Sequence, residues 1–528
     1  MEFRHLSPGQ RPNHSSHGSN TSLRRSETDS LLSSRSTPQA LLPTIRQHPK
    51  VAWATVGLAS VFLLGGYDSV IVTTVPSVPQ FQKDFGERYD NRHIIPSMWL
   101  SLWSALPCVG NIAGALMAGW AQDRFGRRWP FAIGSVLSAV AVAIACLSPL
   151  SADIDTRRSV FLLAEIVQGF ALGLAQTTAQ TYMSEAVPTA MRAPAMALIP
   201  TLALIGQLIG AVVVFLGSAK TSRSAYVVAF HSMWPFSAVP IIVALLIPES
   251  PVHLLRQQDL IGTLCSLRKL YTESTDCDQL FKNLQHHVSQ EDREERSSYG
   301  DCFRESNRRR TLIVIFASMV PTLFGLNLLS DSSYFLQMVG MKAKESLIML
   351  VLGIALALVA NALGVWVSSQ VGRRTLILTS IAITTVLWLA VGIVGCWSGD
   401  FVPWYTAASL MVIIVVCSVG AWPASYTVIS EVSSLRLRAK SMGVSIVTRS
   451  VVGIVFSLVL PYLYNRDAAD LRAKLGFVYF GLCVLALAGT WWGVPEMKGR
   501  SSVEIDYMFK LRVPARKFGS LVQGKQTG

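Results

Sequence analysis

Three short motifs occur twice in this chain, and each second copy lies 246 or 247 residues after the first. The pairs are Gly126-Arg127-Arg128 with Gly372-Arg373-Arg374, Glu185-x-x-Pro188-x-x-x-Arg192 with Glu431-x-x-Ser434-x-x-x-Arg438, and Pro248-Glu249 with Pro495-Glu496. Repetition at a fixed offset indicates two related halves. Each motif lies at the end of a long apolar run, so the duplicated unit is predicted to be a membrane helix bundle, the usual build of a secondary transporter.

Twelve apolar runs are long enough to cross a bilayer as helices, six in each half. Charged residues make up 15% of the chain, against roughly 25% in soluble proteins. The runs lie near residues 52–72, 97–119, 129–149, 159–182, 195–217, 226–247, 311–337, 345–368, 374–396, 403–428, 441–463 and 474–493. The predicted fold class is therefore an all-α membrane protein with twelve transmembrane helices in two six-helix halves.

The distribution of Lys and Arg predicts which side of the membrane each loop occupies. If both termini lie on one side, roughly 33 of the 46 basic residues lie there too, and basic loops favour the cytoplasmic side. Both termini are therefore expected to be cytoplasmic. The formal charge of +14 follows from this bias and from attraction to anionic lipid, so it does not indicate a nucleic-acid partner.

Polar segments divide the chain into five parts. Residues 1–50 are a low-complexity tail, expected to be disordered, and 51–247 form the N-terminal bundle. Residues 248–310 are a partly helical cytoplasmic linker, 311–494 form the C-terminal bundle and 495–528 a cytoplasmic tail. The first 50 residues lack the short apolar stretch of a cleavable signal. No nucleophile with its base, metal-ligand cluster or cofactor loop is apparent, so we expect neither enzyme activity nor a metal or cofactor.

A series of loop motifs resembles the sugar porter family of the major facilitator superfamily. In chain order the motifs are Gly119-x-x-x-Asp123-Arg124-x-Gly126-Arg127-Arg128, Tyr182-x-x-Glu185-x-x-Pro188-x-x-x-Arg192, Pro248-Glu249-Ser250-Pro251, Pro423-x-x-Tyr426-x-x-x-x-Glu431 and Pro495-Glu496-x-Lys498-Gly499-Arg500. The resemblance covers about residues 50–507 and rests on several motifs in the same order. It implies transport of a small solute by alternating access between two rocking halves.

The first half further resembles the fungal α-glucoside proton symporters. The residues that carry this resemblance are Gly66-Tyr67-Asp68, Glu165, Gly169, Gly173, Gln176-Thr177 and Tyr182-x-Ser184-Glu185. Most other sugar porters have Arg at the position of Glu165. The resemblance implies that Gln207 contacts the sugar and that Arg449 occupies a charged position of the eleventh span. One departure is Gly65, where the branch often has an acid.

Two carboxylates, Asp68 and Glu165, fall inside predicted spans. An ionised carboxylate there costs several kcal/mol unless it is paired, protonated or facing water. A carboxyl that takes up and releases a proton as access changes suits proton coupling, and a permanent ion pair or hydrogen bond is the structural alternative. Arg449 is the only basic residue predicted well inside a span. It could neutralise one of these acids, contact an anionic solute or extend to the interface.

Charged residues at the cytoplasmic helix ends predict a gate. Asp123 is expected to pair with Arg124 and Arg128, and Glu185 with Arg192, so that the pairs latch the halves in one state and separate in the other. Positive-inside topology explains the arginines alone but not the acids. The predicted gating residues are Asp123, Arg124, Arg128, Glu185, Arg192, Glu249, Glu431, Arg438 and Glu496.

Polar and aromatic side chains near the middle of the spans predict a solute site, composed of Gln207, Asn327, Gln176, Tyr67, Asp331 and Tyr426. Gln207 and Asn327 are the first candidates for binding hydroxyl groups, and hydrogen bonds that only pack helices are the alternative for the others. Pro321 and Thr322 stand where many sugar porters have two glutamines, which weakens a sugar assignment. Asp331 stands where the family generally has an aromatic, and offers a second proton site or a counter-charge for a cationic solute.

The leading functional prediction is proton-coupled uptake of a sugar or α-glucoside. The alternatives are a transporter of the same build for a non-sugar metabolite, including export of a secondary metabolite, and a non-transporting nutrient sensor, which the short C-terminal tail argues against. The expected partners are a small solute, protons and the lipid bilayer. The plasma membrane is the default location, while the acidic dileucine form of Glu27-x-x-x-Leu31-Leu32 leaves an endosomal or vacuolar membrane open.

Overall fold

The structure is a computed structural model that describes residues 48–89, 92–187, 189–220, 222–271, 278–285, 299–434, 437–498, 500 and 502–518. The N-terminal tail with its dileucine form and part of the linker lie outside these ranges. Within them, twelve helices are long and apolar enough to cross a membrane. The twelve-span prediction is therefore confirmed, with six spans in each half.

Six spans make up the N-terminal half. They are Pro49–Thr74, Ser97–Phe125, Arg128–Leu147, Ile154–Ala186, Thr189–Ser218, and a sixth span formed by Ser224–His231 followed by Met233–Leu246. The short helix Pro79–Phe85 and a hairpin of strands Glu87–Tyr89 and Arg92–Ile94, paired antiparallel, join the first span to the second. The linker begins with helices Pro251–Arg256 and Leu260–Leu270.

The C-terminal half repeats this arrangement. Its spans are Glu305–Leu323 with Leu326–Ser330 and Ser332–Val339, then Ala343–Gln370, Arg373–Val394, Phe401–Val419 with Ala421–Val432, Arg438–Tyr464 and Leu475–Gly493. Helix Ser502–Lys510 follows the last span. Single turns of 3-10 helix lie at Val75–Ser77, Ser148–Leu150, Tyr299–Phe303, Arg472–Lys474 and Ala515–Lys517.

Two spans of the C-terminal half are broken. The seventh span breaks at Gly325, whose φ of 106° is left-handed, and again at Asp331. The tenth breaks at Gly420, three residues before Pro423, where the sequence predicts a kink. The proline accounts for this position, because its ring clashes with the carbonyl four residues earlier and cannot donate the helical bond. Broken helices expose backbone groups and are typical of spans that line a transport path.

Glycines let the helices of the N-terminal half approach closely. A Cβ added at Gly66 would overlap the carbonyl of Ala203 in the fifth span, and one added at Gly173 would overlap the carbonyl of Asn111 in the second span. Gly169 meets the carbonyl of Pro107 in the same way. The four-residue spacing of Gly169 and Gly173 therefore brings the second and fourth spans into backbone contact.

The bundle has two distinct ends. His48, just before the first span, packs edge-on against Tyr271 of the linker at 5.4 Å between ring centroids. Arg310, at the start of the seventh span, pairs with Asp506, which follows the twelfth. The linker, the start of the first span and the chain after the last span therefore share one end, which we call the linker end. The opposite end is called the distal end.

Hydrogen bonds join the two halves at the distal end. Asp467 accepts the Ser97 N–H at 2.7 Å and the Ser97 hydroxyl. The Asn465 amide donates to the Ile95 carbonyl at 2.8 Å. Because Ser97 opens the second span, Asp467 places a carboxylate from one half at a helix N-terminus of the other, where a negative charge is favoured. We call these four residues the distal latch.

Candidate functional site

The two predicted membrane acids lie beside each other on the first and fourth spans. Asp68 is 7% exposed and Glu165 is 4% exposed, and Glu165 lies within electrostatic range of Asp68. Gln168, one turn after Glu165, is buried beside Asp68. Asp68 Oδ1 and Glu165 Oε2 lack a hydrogen-bond partner among the described residues. Buried polar atoms without partners are costly and mark a functional group or an unseen water.

Among the residues that the structure describes, no basic side chain pairs with Asp68 or Glu165. Arg449, the predicted charge partner, instead donates to the Tyr426 hydroxyl at 2.6 Å. Its guanidinium also lies 5.4 Å from the centre of the Tyr426 ring. The tenth and eleventh spans carry this pair. The structure therefore joins two predicted residues to each other and leaves the two acids without a described basic partner.

One face of the first span gathers three of the predicted solute residues. Gly65, Ser69 and Thr73 follow at four-residue spacing and therefore share that face. The amide of Gln176 occupies the space where a side chain at Gly65 would lie, and Gln207 Nε2 donates to Ser69 Oγ at 3.4 Å. Gln176 thus takes the place of the acid that is absent at position 65.

Thr73, on the third turn of this face, borders a small cavity between the two halves. Thr73, Trp103 and Ser104 line it from the N-terminal half, and Asp331, Tyr334 and Tyr464 from the C-terminal half. Asp331 is half-buried and lies where the seventh span breaks. The structure therefore brings this predicted solute residue to the space between the halves.

Asn327 and Tyr67, two other predicted solute residues, form hydrogen bonds to neighbouring helices. Asn327, one turn before Asp331, donates to the Gly453 carbonyl at 3.4 Å and to Ser457 Oγ at 3.3 Å on the eleventh span. Tyr67 is fully buried inside the N-terminal half, where its hydroxyl bonds to Ser232 and its ring stacks on Phe236 at 4.7 Å. The prediction that Tyr67 forms a wall of the solute site does not fit this placement, because its whole side chain packs against the sixth span.

At the linker end, Arg127 is the hub of a buried charge network. Its guanidinium pairs with Glu185 Oε1 at 2.8 Å and donates to the Gln122 carbonyl at 3.0 Å. Glu249 accepts the Arg127 N–H at 2.6 Å. Arg128 turns the other way and donates to the Leu245 carbonyl at 2.9 Å. The network ties the loop after the second span to the ends of the fourth and sixth spans.

His253 completes this network from the linker. Arg127 Nη1 lies 2.7 Å from His253 Nδ1. Burial, followed by the charge of Arg127, lowers the pKa of His253. The ring is therefore neutral at pH 7, and its Nδ1 can accept the guanidinium N–H.

The C-terminal half repeats this network. Arg373 pairs with Glu431 at 3.0 Å, donates to the Ser368 carbonyl at 3.3 Å, and offers its N–H to Glu496 at 3.0 Å. Arg374 donates to the Trp491 carbonyl at 2.8 Å. Each of these residues lies 246 or 247 positions after its counterpart in the first half, so the sequence repeat corresponds to a repeat of individual hydrogen bonds.

These networks correct the predicted gate pairs. Glu185 binds Arg127 rather than the predicted Arg192, whose side chain is outside the described residues, and Glu431 binds Arg373. Asp123 and Arg124 are exposed, and Arg124 lies over Trp120. The bonds described above for Arg127 and Arg373 stay within one half, so in this state they brace each bundle instead of latching the two together.

Two functional residues were missed by the sequence prediction. Arg127 belongs to the repeated Gly-Arg-Arg motif. Because both arginines of this motif are repeated, the sequence indicated that either of them could have a structural role. Gln168 had a weaker signal, namely an amide one helical turn after a membrane acid. Its importance follows only from the fold, which buries its amide beside Asp68.

Comparison with known proteins agrees with this arrangement. Residues 53–509 match the family described as sugar (and other) transporter. The MFS transporter fmqE of Aspergillus fumigatus is 28% identical over 470 residues, covering 86% of this chain and 85% of that protein. The maltose permease MAL31 of Saccharomyces cerevisiae is 25% identical over 504 residues, covering 91% of this chain and 79% of that protein.

Solved structures show the same fold. The inward open xylose transporter XylE from E. coli has a TM-score of 0.70 and 18% identity, covering 87% of this chain and 99% of that chain. The twelve spans and the family match together make the protein an integral, multi-pass membrane protein. With the match extending over most of its length, the chain belongs to the sugar (and other) transporter family of the major facilitator superfamily.

Proposed function

We propose that the protein is a secondary active transporter that couples movement of a small solute to protons at Asp68 and Glu165. The observation that carries this proposal is the burial of both carboxyl groups side by side, with no basic partner among the described residues. Two adjacent carboxylates cannot both remain ionised without a large free-energy cost, so one of them holds a proton. Opening to water on one side then releases that proton.

The solute path lies between the halves along the polar face of the first span. Gln176 packs at the first turn of that face and Gln207 bonds to its second, while Asp331 lines the same cavity as the third. Amide groups at two of these turns provide donors and acceptors for hydroxyl groups. The proposed solute is therefore a sugar or α-glucoside, in agreement with the maltose permease among the relatives, and the proposed location is the plasma membrane.

Asp331 favours a second candidate, a transporter of a non-sugar metabolite. A carboxyl group on the cavity wall can accept hydrogen bonds from a sugar, but it also offers a counter-charge, which a neutral sugar does not need. Pro321 and Thr322 are buried in the seventh span, so two positions that often carry amides provide no amide here. The MFS transporter fmqE among the relatives is not described as a sugar permease.

Uptake of labelled maltose by cells without α-glucoside transporters of their own tests the first candidate. We expect maltose to enter wild-type cells while the external medium becomes more alkaline, because each solute carries protons inward. Surface expression is checked with an epitope tag. A protein that reaches the surface and takes up neither maltose nor a monosaccharide contradicts the sugar assignment and favours the second candidate.

A further inference from the structure

Asp331 is an acidic residue whose side chain has no hydrogen-bond or ion-pair partner among the residues that the structure describes. Its backbone continues the seventh span, since its N–H donates to Asn327 and its carbonyl accepts from Phe335. In the described structure its carboxyl group makes no hydrogen bond and no ion pair. A carboxylate in an apolar region carries a large free-energy cost unless a partner offsets it. The half-buried carboxyl group is therefore available to a partner from outside the protein.

The cavity around Asp331 suits a cation. The residues that line it include no Lys, Arg or His, so no positive charge lies on its wall. Trp103, Tyr334 and Tyr464 contribute three aromatic rings, and aromatic faces attract cations. The membrane arginine, Arg449, lies 15 residues before Tyr464 on the same helix, or roughly 22 Å away at 1.5 Å per residue, and it already binds Tyr426.

The cavity suits a neutral polyol less well. Its polar side chains carry the hydroxyls of Thr73, Ser104, Tyr334 and Tyr464, the Trp103 indole N–H and the Asp331 carboxyl, with no amide. The Tyr334 hydroxyl is occupied, because it accepts the Ile95 N–H at 3.3 Å and donates to Asn465 at 3.4 Å. Sites for polyols need several donors and acceptors aimed at the hydroxyl groups.

We propose that the transported solute carries a protonated amine and that Asp331 is its counter-charge. This inference rests on the proposed transport function and names the chemical class of the solute for its second candidate. The amine lies against the carboxylate at the distal end of the polar face. The hydroxyl or carbonyl groups of the solute then extend towards Gln207, which is bonded to Ser69 one turn nearer the linker end.

Binding to the purified, full-length protein tests the proposal. Thermal stabilisation at pH 7 is measured with two matched pairs of probes, glucosamine against glucose and tyramine against tyrosol. Each pair differs by an ammonium group in place of a hydroxyl. We expect an amine to stabilise the wild type more than its neutral partner does, and Asp331→Asn to weaken its binding roughly tenfold or more, as for a charge-assisted hydrogen bond.

Asp331→Glu is the matched control, because it keeps the charge and should retain most of the amine binding. The melting temperature and size-exclusion profile without ligand show whether each variant folds. Three results would overturn the proposal: neutral partners that stabilise as well as amines, amine binding unchanged in Asp331→Asn, or no stabilisation of the wild type by either amine.

Proton coupling is measured separately, so the two proposals can fail independently. A protein that binds amines through Asp331 but moves no protons would refute coupling at Asp68 and Glu165 alone. A protein that moves protons with a neutral sugar and ignores both amines would refute the role of Asp331 alone.

Discussion

At the residue scale, helix geometry decides which predicted side chains reach the site. Residue type and membrane position were enough to predict that Asp68 and Glu165 lie buried inside spans, while their role in coupling stays a prediction. Residue type and membrane position were not enough to predict the surroundings of Tyr67. Consecutive residues on a helix point about 100° apart, so Tyr67 faces the sixth span while Asp68 faces the fourth. Only the packing of the neighbouring spans determines which of the two directions leads to the solute.

The two arginines of the repeated motif pose the same difficulty. Arg127 and Arg128 are indistinguishable in the sequence, but the fold turns Arg127 inward to Glu185 and Arg128 outward to backbone carbonyls. Charge pairs between distant loops could not be predicted, because 58 residues separate Arg127 from Glu185. The internal repeat supplies a matched comparison, since Arg127 is 4% exposed and its counterpart Arg373 is 19% exposed.

Arg127→Lys should destabilise the protein by about 3 kcal/mol, because a lysine cannot replace the forked guanidinium and leaves Glu185 buried without its full set of bonds. Arg373→Lys should cost only about 1 kcal/mol, because water reaches its pair. Thermal unfolding of the two purified variants measures the difference. Equal losses, or a larger loss for Arg373→Lys, would contradict the assignment of Arg127 as the buried hub.

At the element scale, apolar runs predicted the spans but not their interruptions. Hydropathy averages over a window of about 19 residues, so the seventh span read as one run although it breaks at Gly325 and at Asp331. The break depends on a left-handed glycine and on packing against Trp388 and Tyr479 around it. Glycine spacing was more informative, because Gly169 and Gly173 do lie where two helices touch.

Gly173→Ala should destabilise the N-terminal half by roughly 1–3 kcal/mol, because the added methyl overlaps the Asn111 carbonyl and forces the second and fourth spans apart. Gly481→Ala is the control, since an added Cβ there meets nothing within 4 Å. It should be neutral or stabilising by up to about 1 kcal/mol, the helical preference of alanine over glycine. The melting temperatures of both variants check this, and a stable Gly173→Ala protein would argue against close packing.

At the scale of the whole molecule, the repeat predicted two halves but not how they meet. Residues that meet at the distal latch are about 370 positions apart, as with Ser97 and Asp467. Neither has a sequence signature, because Ser and Asp in loops are common. The latch belongs to one state of the transporter, since opening the distal end requires its hydrogen bonds to break.

Asp467→Asn should weaken the closed distal end, because an amide provides less stabilisation than a carboxylate at the N-terminus of the second span. The expected cost is about 0.5–2 kcal/mol. Cysteines at Gln82 and Gln337, whose amides are 3.0 Å apart across the two halves, report closure. The rate of cross-linking is measured by mass spectrometry of the joined peptides. It should fall several-fold in Asp467→Asn, the factor that corresponds to this free-energy cost.

Asp470→Asn is the control, because Asp470 pairs with Arg472 in its own loop at 2.7 Å. It should leave the cross-linking rate unchanged. If Asp467→Asn cross-links as fast as the wild type, the carboxylate does not hold the distal end closed.

The central claim, that Asp68 and Glu165 couple solute movement to protons, is tested most directly in proteoliposomes. Solute exchange between equal concentrations and accumulation driven by a proton gradient are compared for the wild type and Asp68→Asn. The account predicts that the variant still exchanges solute, since the path remains, but no longer accumulates it, since no proton is carried. Accumulation at the wild-type level in Asp68→Asn would contradict the claim.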